Sequence, residues 1–158
     1  MRILIDGDGC PKVVKGCCRE IAKKYKIPLI IYTTLAHYTD LTESQEDYVF
    51  LDCKDQSVDI KLVNDTKQGD IVITGDYGLA SMVLARGGNP IGVRGEIFTH
   101  DNIDNFLLIR HQNAKLRQAK LLKGGPAKYS KEDIDKFTKN LLYLITNKKN
   151  NDEFSRKK

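Results

Sequence analysis

Five short apolar runs, most of them separated by stretches with helical periodicity, set the outline of this chain. They are Arg2-Ile-Leu-Ile-Asp6, Pro28-Leu-Ile-Ile-Tyr-Thr33, Tyr48-Val-Phe-Leu51, Ile71-Val-Ile-Thr74 and Pro90-Ile-Gly-Val93. Runs of four to six such residues read as strands. Between the first two, Val13, Val14, Cys17, Cys18, Ile21 and Ala22 recur at helical spacing over Pro11 to about Lys26, with lysines opposite. Helical patterns also span Gln56 to about Gln68 and Tyr77 to about Arg86. Alternation of this kind predicts an α/β layered fold built on a mainly parallel sheet. At 158 residues, 41% hydrophobic and 30% charged, the chain has material for one domain with a real core.

Beyond Val93 the pattern changes. A loop from Arg94 to His100 leads to a long helical stretch from about Asn102 to Ala119, then Gly124-Gly-Pro126 and a last helix. Ser130-Lys-Glu-Asp133 has the form of an N-terminal cap, and Ile134, Phe137, Leu141, Leu142 and Ile145 supply an apolar stripe. The predicted layout is one domain over 1–146 with a basic helical C-terminal part, followed by a disordered tail over 147–158. No internal repeat is visible.

Charge is divided unevenly along the chain. Residues 1–109 carry 12 Lys and Arg against 16 Asp and Glu, and residues 110–158 carry 14 against 5. An acidic front half and a basic back half suggest a metal or reaction site served by a region that attracts a polyanion. No apolar run is long enough to span a bilayer and the opening does not resemble a signal peptide, which predicts a cytoplasmic chain with no membrane partner. The cysteines, Cys10, Cys17, Cys18 and Cys53, form no C-x-x-C pair and are read as reduced, mostly buried thiols. The oligomeric state is left open.

In an open α/β sheet, ligands bind outside the carboxyl ends of the strands. Asp6 and Asp8 follow the first strand, and Asp76 follows the fourth through Gly75. Asp70 precedes that strand, which predicts a structural role at the opposite end. At 100° per residue, Asp59 falls between Leu62 and Val63 in the apolar stripe of its helix, where a carboxylate needs a cation or strong donors. Asp6, Asp8, Asp59 and Asp76, without paired His or Cys, describe an all-oxygen site for Mg²⁺ or Mn²⁺. The chemistry suited to such a site is phosphoryl transfer or phosphodiester hydrolysis.

Ile5-Asp-Gly-Asp-Gly-Cys-Pro11 and Gly69-Asp-Ile-Val-Ile-Thr-Gly-Asp-Tyr77 with Leu79-Ala80 resemble the two signatures of the YaiI/YqxD family, a group of small bacterial proteins placed with the PIN-like nuclease folds. Arg94-Gly95, Asn102-Ile-Asp104 with Arg110, and Gly125-Pro126 with Ser130-Lys-Glu-Asp133 carry the resemblance to about residue 145. It implies a PIN-like three-layer sandwich with added C-terminal helices. A wider resemblance, to NYN/PIN-type ribonucleases, implies a metal-dependent nuclease acting on RNA ahead of DNA. In that comparison Asp6 matches the acid after strand one, Asp59 the helix acid and Asp76 the acid of the Gly-Asp motif, while Asp8 belongs to the YaiI/YqxD opening. Those ribonucleases often carry a further acid two residues beyond, where this chain has Gly78. That departure leaves the number of metals, and a role in binding alone, open.

Two alternatives accompany the nuclease. Asp6-Gly-Asp8-Gly9 also resembles the nucleophile and acid/base pair of haloacid-dehalogenase phosphatases, with Thr33 or Thr34 as a phosphate ligand and Asp76 as the later acid. In that reading the second acid near Ala80 or Ser81 is absent and Asp59 has no task. A non-catalytic nucleic-acid-binding protein is the other. In either nucleic-acid reading, Arg110, Lys115 and Arg117, with Arg94, are the phosphate-contacting candidates, and Arg110 and Arg117, seven apart, share a helix face.

Overall fold

The structure is a computed structural model that describes residues 1–34, 48–51, 57–125 and 127–156, with side chains as far as residue 147. Gln56, Cys53 and Pro126, which the sequence reading had singled out, lie outside the described residues. Five strands, β1 (Ile3–Asp6), β2 (Leu29–Thr34), β3 (Tyr48–Leu51), β4 (Ile71–Ile73) and β5 (Asn89–Ile91), form one sheet in the order β3-β2-β1-β4-β5. Every pair in it is parallel. The helices are α1 (Lys12–Tyr25), α2 (Val58–Asp65), α3 (Tyr77–Ala85), α4 (Ile103–Gln118) and α5 (Lys131–Arg156). The predicted α/β fold with a parallel sheet and added C-terminal helices is what the chain adopts, and its layers make a three-layer sandwich.

Side-chain alternation along the strands divides the core between two faces. Ile3, Ile5, Ile31, Ile71, Ile73 and Ile91 point to one face, where α1 and α5 cover them with Val14, Cys18, Phe137 and Leu141. Leu4, Tyr32 and Val72 point to the other, against Val58 and Leu62 of α2 and Leu79 and Val83 of α3. The fourth helix belongs to a third cluster. It packs on α3 through Ile103, Phe106 and Leu107, in a cluster with Ala80, Leu84 and Phe98.

Asp70 has the structural place expected of it. Its carboxylate, 3% exposed, accepts from Arg2 Nη2 at 2.6 Å, from Arg2 N at 3.1 Å and from Lys67 N at 2.9 Å, at the amino end of the sheet. Helix α2 is shorter than the Gln56–Gln68 pattern. It starts at Val58 after Ser57, whose hydroxyl caps Ile60 N, and ends when Thr66 turns extended and bonds Leu62 O through its own hydroxyl. At the other end of the chain, α5 continues to Arg156, past residue 146 where the sequence reading ended the folded domain. No Gly or Pro interrupts the stretch from Lys131 onward, so nothing in the backbone chemistry stops the helix. No helix among the described residues is long and apolar enough to cross a membrane.

The loop after β5 is fastened to α5. Gly95 has φ +91, and a Cβ there would lie 2.8 Å from Lys136 C and Phe137 N, backbone atoms that cannot step aside. Asn140 Nδ2 donates to Gly95 O at 2.6 Å across the same contact. Gly95→Ala is therefore expected to cost about 2–4 kcal/mol, as strain and overpacking together, seen as a lower midpoint in urea with an unchanged slope.

Candidate functional site

The order β3-β2-β1-β4-β5 means that the chain steps outward from β1 to β3 and then crosses back to place β4 on the other side of β1. A crevice opens where the direction reverses, at the carboxyl ends of β1 and β4. Asp6 ends β1 and Asp76 follows β4, so the two flank that crevice.

Each acid is held by its own local structure. After β1, Gly7 runs so close to β2 that an added Cβ would meet Ile31 Cγ2 and Tyr32 O at 2.8 Å, which brings the next residue, Asp8, against β2. There Asp8 Oδ1 accepts from the Thr33 hydroxyl at 2.7 Å and from Thr34 N at 3.0 Å. Thr74 links the two sides of the crevice: its hydroxyl donates to Asp6 Oδ2 at 3.1 Å and accepts from Asp76 N at 3.1 Å. Asp76 caps α3, its Oδ1 accepting from Gly78 N at 2.8 Å and Leu79 N at 3.3 Å. Asp59 is half-buried at the second position of α2. The role of Thr74 was missed in the sequence, although a threonine closing a buried strand between two acids was a signal for it.

The charges of neighbouring acids act on Asp6 and Asp59. Burial, then the charge of Asp59, pushes the Asp6 carboxyl up to about 6; Thr74 opposes this, and Asp8 and Asp76 add to it. Burial also raises Asp59, followed by the charges of Asp76 and Asp8. Among the described residues neither Asp6 nor Asp59 has an ion-pair partner, while Asp76 Oδ1 meets Arg110 Nη1 at 3.2 Å. Hydrogen bonding leaves Asp6 Oδ1, Asp76 Oδ2 and both oxygens of Asp59 without a partner among the described residues.

These donors are all oxygens with excess negative charge, the chemistry that a hard divalent cation requires. As the side chains stand, no group of three or more His, Cys, Asp or Glu among the described residues is close enough to share one ion. The residues fit such a cation in donor type, but the side chains as they stand do not gather three of them around one point.

Across the crevice stands α4. Tyr77, Phe98 and Phe106 stack edge-on and tilted at centroid distances of 5.0–5.6 Å and fix the start of α4 on α3. Arg110, Asn113 and Arg117, one face of α4, then line a cleft of about 590 Å³ together with Asp6, Gly9, Asp76 and Tyr77. Lys115 lies off that face and is exposed. Arg94 leaves the phosphate-contacting set: its Nη1 pairs with Asp133 at 2.7 Å, its Nη2 bonds Ala127 O, and its guanidinium covers the Tyr129 ring. Its charge is spent on fastening α5. Thr33, the phosphate ligand of the phosphatase alternative, is buried with its hydroxyl committed to Asp8. Burial pushes the Cys10 thiol up to about 12, in keeping with unreactive thiols.

A Cβ at Gly78 would come within 3.2 Å of Asp76 Oδ1 and 3.7 Å of Arg110 Nη1. The position thus faces the Asp76–Arg110 pair. A family profile described as "Uncharacterized BCR, YaiI/YqxD family" matches residues 4–147. The chain belongs to the YaiI/YqxD family. The YaiI/YqxD match takes in all four acids, Arg110 and Arg117. Among relatives, a UPF0178 protein of Clostridium perfringens is 41% identical over 145 residues, covering 92% of this chain and 95% of its own. One from Clostridium tetani is 39% identical over 145 residues, covering 92% and 97%, and one from Alkaliphilus oremlandii is 38% identical over 148, covering 92% and 91%. No solved structure matches.

Proposed function

We propose that this chain is a metal-dependent nuclease that hydrolyses phosphodiester bonds, RNA ahead of DNA. The observation that carries the reading is the pair Asp6 and Asp76 at the switch point of the sheet, lining one cleft with Arg110 and Arg117, while the charges of Asp59 and Asp8 reach the Asp6 carboxyl from outside that lining. Asp6, Asp8, Asp59 and Asp76 would hold Mg²⁺ or Mn²⁺, which when bound would activate water and offset charge on the phosphate. Arg110 and Arg117 would orient the backbone, two turns of α4 apart, and Thr74 keeps Asp6 and Asp76 in register. The preference for RNA follows the resemblance to the NYN/PIN ribonucleases. The decisive experiment is cleavage of an end-labelled, mixed-sequence RNA with Mn²⁺ or Mg²⁺ against EDTA. Cleavage that EDTA does not abolish, or none at all, sinks the reading.

A binding protein without catalysis is favoured by one observation, that no three acids share a metal-holding geometry. It would hold RNA equally well with or without the cation.

Replacing Arg110 and Arg117 together by Ala is expected to weaken RNA binding about equally across sequences. The slope of log affinity against log salt should fall by about 0.7 per lost phosphate contact on a single strand. Fluorescence anisotropy at several salt concentrations measures both. Unchanged affinity and slope would move the substrate path away from α4.

A further inference from the structure

Helix α1 carries a row of cations that the cleft does not account for. At 100° per residue, Lys12, Lys15, Arg19 and Lys23 fall within about 80° of one another, on the side turned away from the buried Val14, Cys18 and Ile21. Glu20, the one acid of α1, lies outside that sector. Lys26, which closes the helix, continues the row by lining an open cleft of about 520 Å³ with Arg19 and Lys23. Lys23 and Lys26 suit the negative end of the helix dipole. Lys12 and Lys15 stand at its positive end, in a helix with no acid in its first turn, so helix stability does not explain them. Arg19 is fixed in the row by β3, its Nη2 donating to Tyr48 Oη at 2.8 Å and its guanidinium lying over the Tyr48 ring. Lys15, Lys23 and Lys26 have no carboxylate partner among the described residues.

The row begins at the crevice. Gly9, three residues before Lys12, lines the cleft with Asp6, Arg110 and Arg117, and the charges of Lys15 and Asp6 both act on the Cys10 thiol. Because β1 and β2 are parallel, α1 runs back between them and carries its cations about 16 Å from Lys12 to Lys23, toward the other end of the sheet. We propose that this row is a second track for a nucleic-acid backbone, so that a strand held by Arg110 and Arg117 crosses the acids and continues along α1. The proposal rests on the reading of the cleft as a nucleic-acid site and adds how the strand leaves it. Charge selects the occupant, since the acids of the crevice repel a polyanion and cations on both sides of them hold one across. Lysines follow such a backbone as point charges, without reading bases. Helix α1 covers one face of the sheet, whereas α4 packs on α3, which covers the other. A strand that touches both rows turns over the carboxyl edge of the sheet, a bend that a single strand makes and a stiff duplex resists.

Fluorescence anisotropy in EDTA, on single-stranded RNAs of about 5 and about 20 nucleotides, tests it. The wild type should bind the long RNA at least about tenfold more tightly than the short one. Lys15→Gln, Lys23→Gln and Lys26→Gln together should bring the long RNA down to near the affinity of the short one, with circular dichroism and melting unchanged. The slope of log affinity against log salt for the long RNA should fall by about 2, or about 0.7 for each lost contact. That loss, in a protein that cleaves neither RNA when Mn²⁺ is supplied, keeps the row and removes the nuclease. Cleavage by a triple variant that still binds the long RNA with wild-type affinity and slope keeps the nuclease and overturns the row. A wild type that binds both lengths alike also overturns it. So does a triple variant that holds long RNA normally but no longer binds vesicles of phosphatidylcholine with phosphatidylserine, since the row would then belong to a membrane surface.

Discussion

Asp6→Asn is expected to raise the melting temperature at pH 7.5 in EDTA and, in the same protein, to lower Mn²⁺-dependent RNA cleavage on the order of a hundredfold or more. Both effects come from one carboxyl. In the fold its pKa is pushed up from 3.8 to about 6, chiefly by burial and by the charge of Asp59. A raised pKa means that the folded state prefers the neutral acid, so stability is complete below about pH 4 and is lost as pH rises through about 6. Asparagine keeps the neutral shape at every pH. The gain is bounded by the shift, about 3 kcal/mol, and the altered bond with Thr74 reduces it to about 1–2 kcal/mol, or roughly 2–8 °C. It should vanish when the melts are repeated near pH 4. On the proposed function protons would compete with the cation at the same oxygen, so Mn²⁺ stabilisation of the wild type should fade as pH drops through about 6. A variant that melts lower than wild type at neutral pH, with cleavage intact, would remove Asp6 from the site.

Asp70→Ala should do the reverse. Burial alone would push this carboxyl up, but bonds from Arg2 and from Lys67 N, with the Arg2 charge, hold it below the usual carboxylate range. Alanine leaves two backbone N–H groups and a guanidinium without their acceptor. The expected loss is about 2–4 kcal/mol, under the full cost of an orphaned buried charge because a quarter of the Arg2 side chain stays exposed. That corresponds to a drop of roughly 5–15 °C at neutral pH. A lowered pKa contributes stability above about pH 4 and loses it as pH falls through the folded value, so the deficit should shrink in acid, opposite to the Asp6 variant. Metal response should persist, since the sheet separates Asp70 from the cleft. Equal melting of Asp70→Ala and wild type at neutral pH would show that the Arg2 pair holds nothing.

The elements were legible because strand and helix periods differ and the chain keeps them apart. Tyr48-Val-Phe-Leu51 and Ile71-Val-Ile73 are strands where the apolar runs stand. Asp59 stood out because a carboxylate in an apolar stripe breaks the pattern; in the fold it is half-buried and its charge acts on Asp6, although it does not line the cleft. Other features depend on residues far along the chain and leave no local trace. Arg94 reads as one more cation until Asp133, 39 residues later, is brought to it. Strand order is equally hidden, because no local pattern says that β4 returns to the far side of β1. Lys115 and Arg117, two apart, looked alike in charge; only the docking of Phe106 and Leu107 on α3 decides which of them faces the cleft.

The position of α5 has a consequence for how the chain is made. Its Phe137 and Leu141 complete the layer over Ile3, Ile5 and Ile73, so β1 is closed by α5, the element farthest from it along the described chain. About 130 residues separate those partners, and the central β1 is paired on one side with β4, a strand that is itself distant. Contacts so remote in sequence make folding slow and late. The part of that face which α1 does not cover stays bare until α5 has been made, and for that interval its isoleucines are open to sticking.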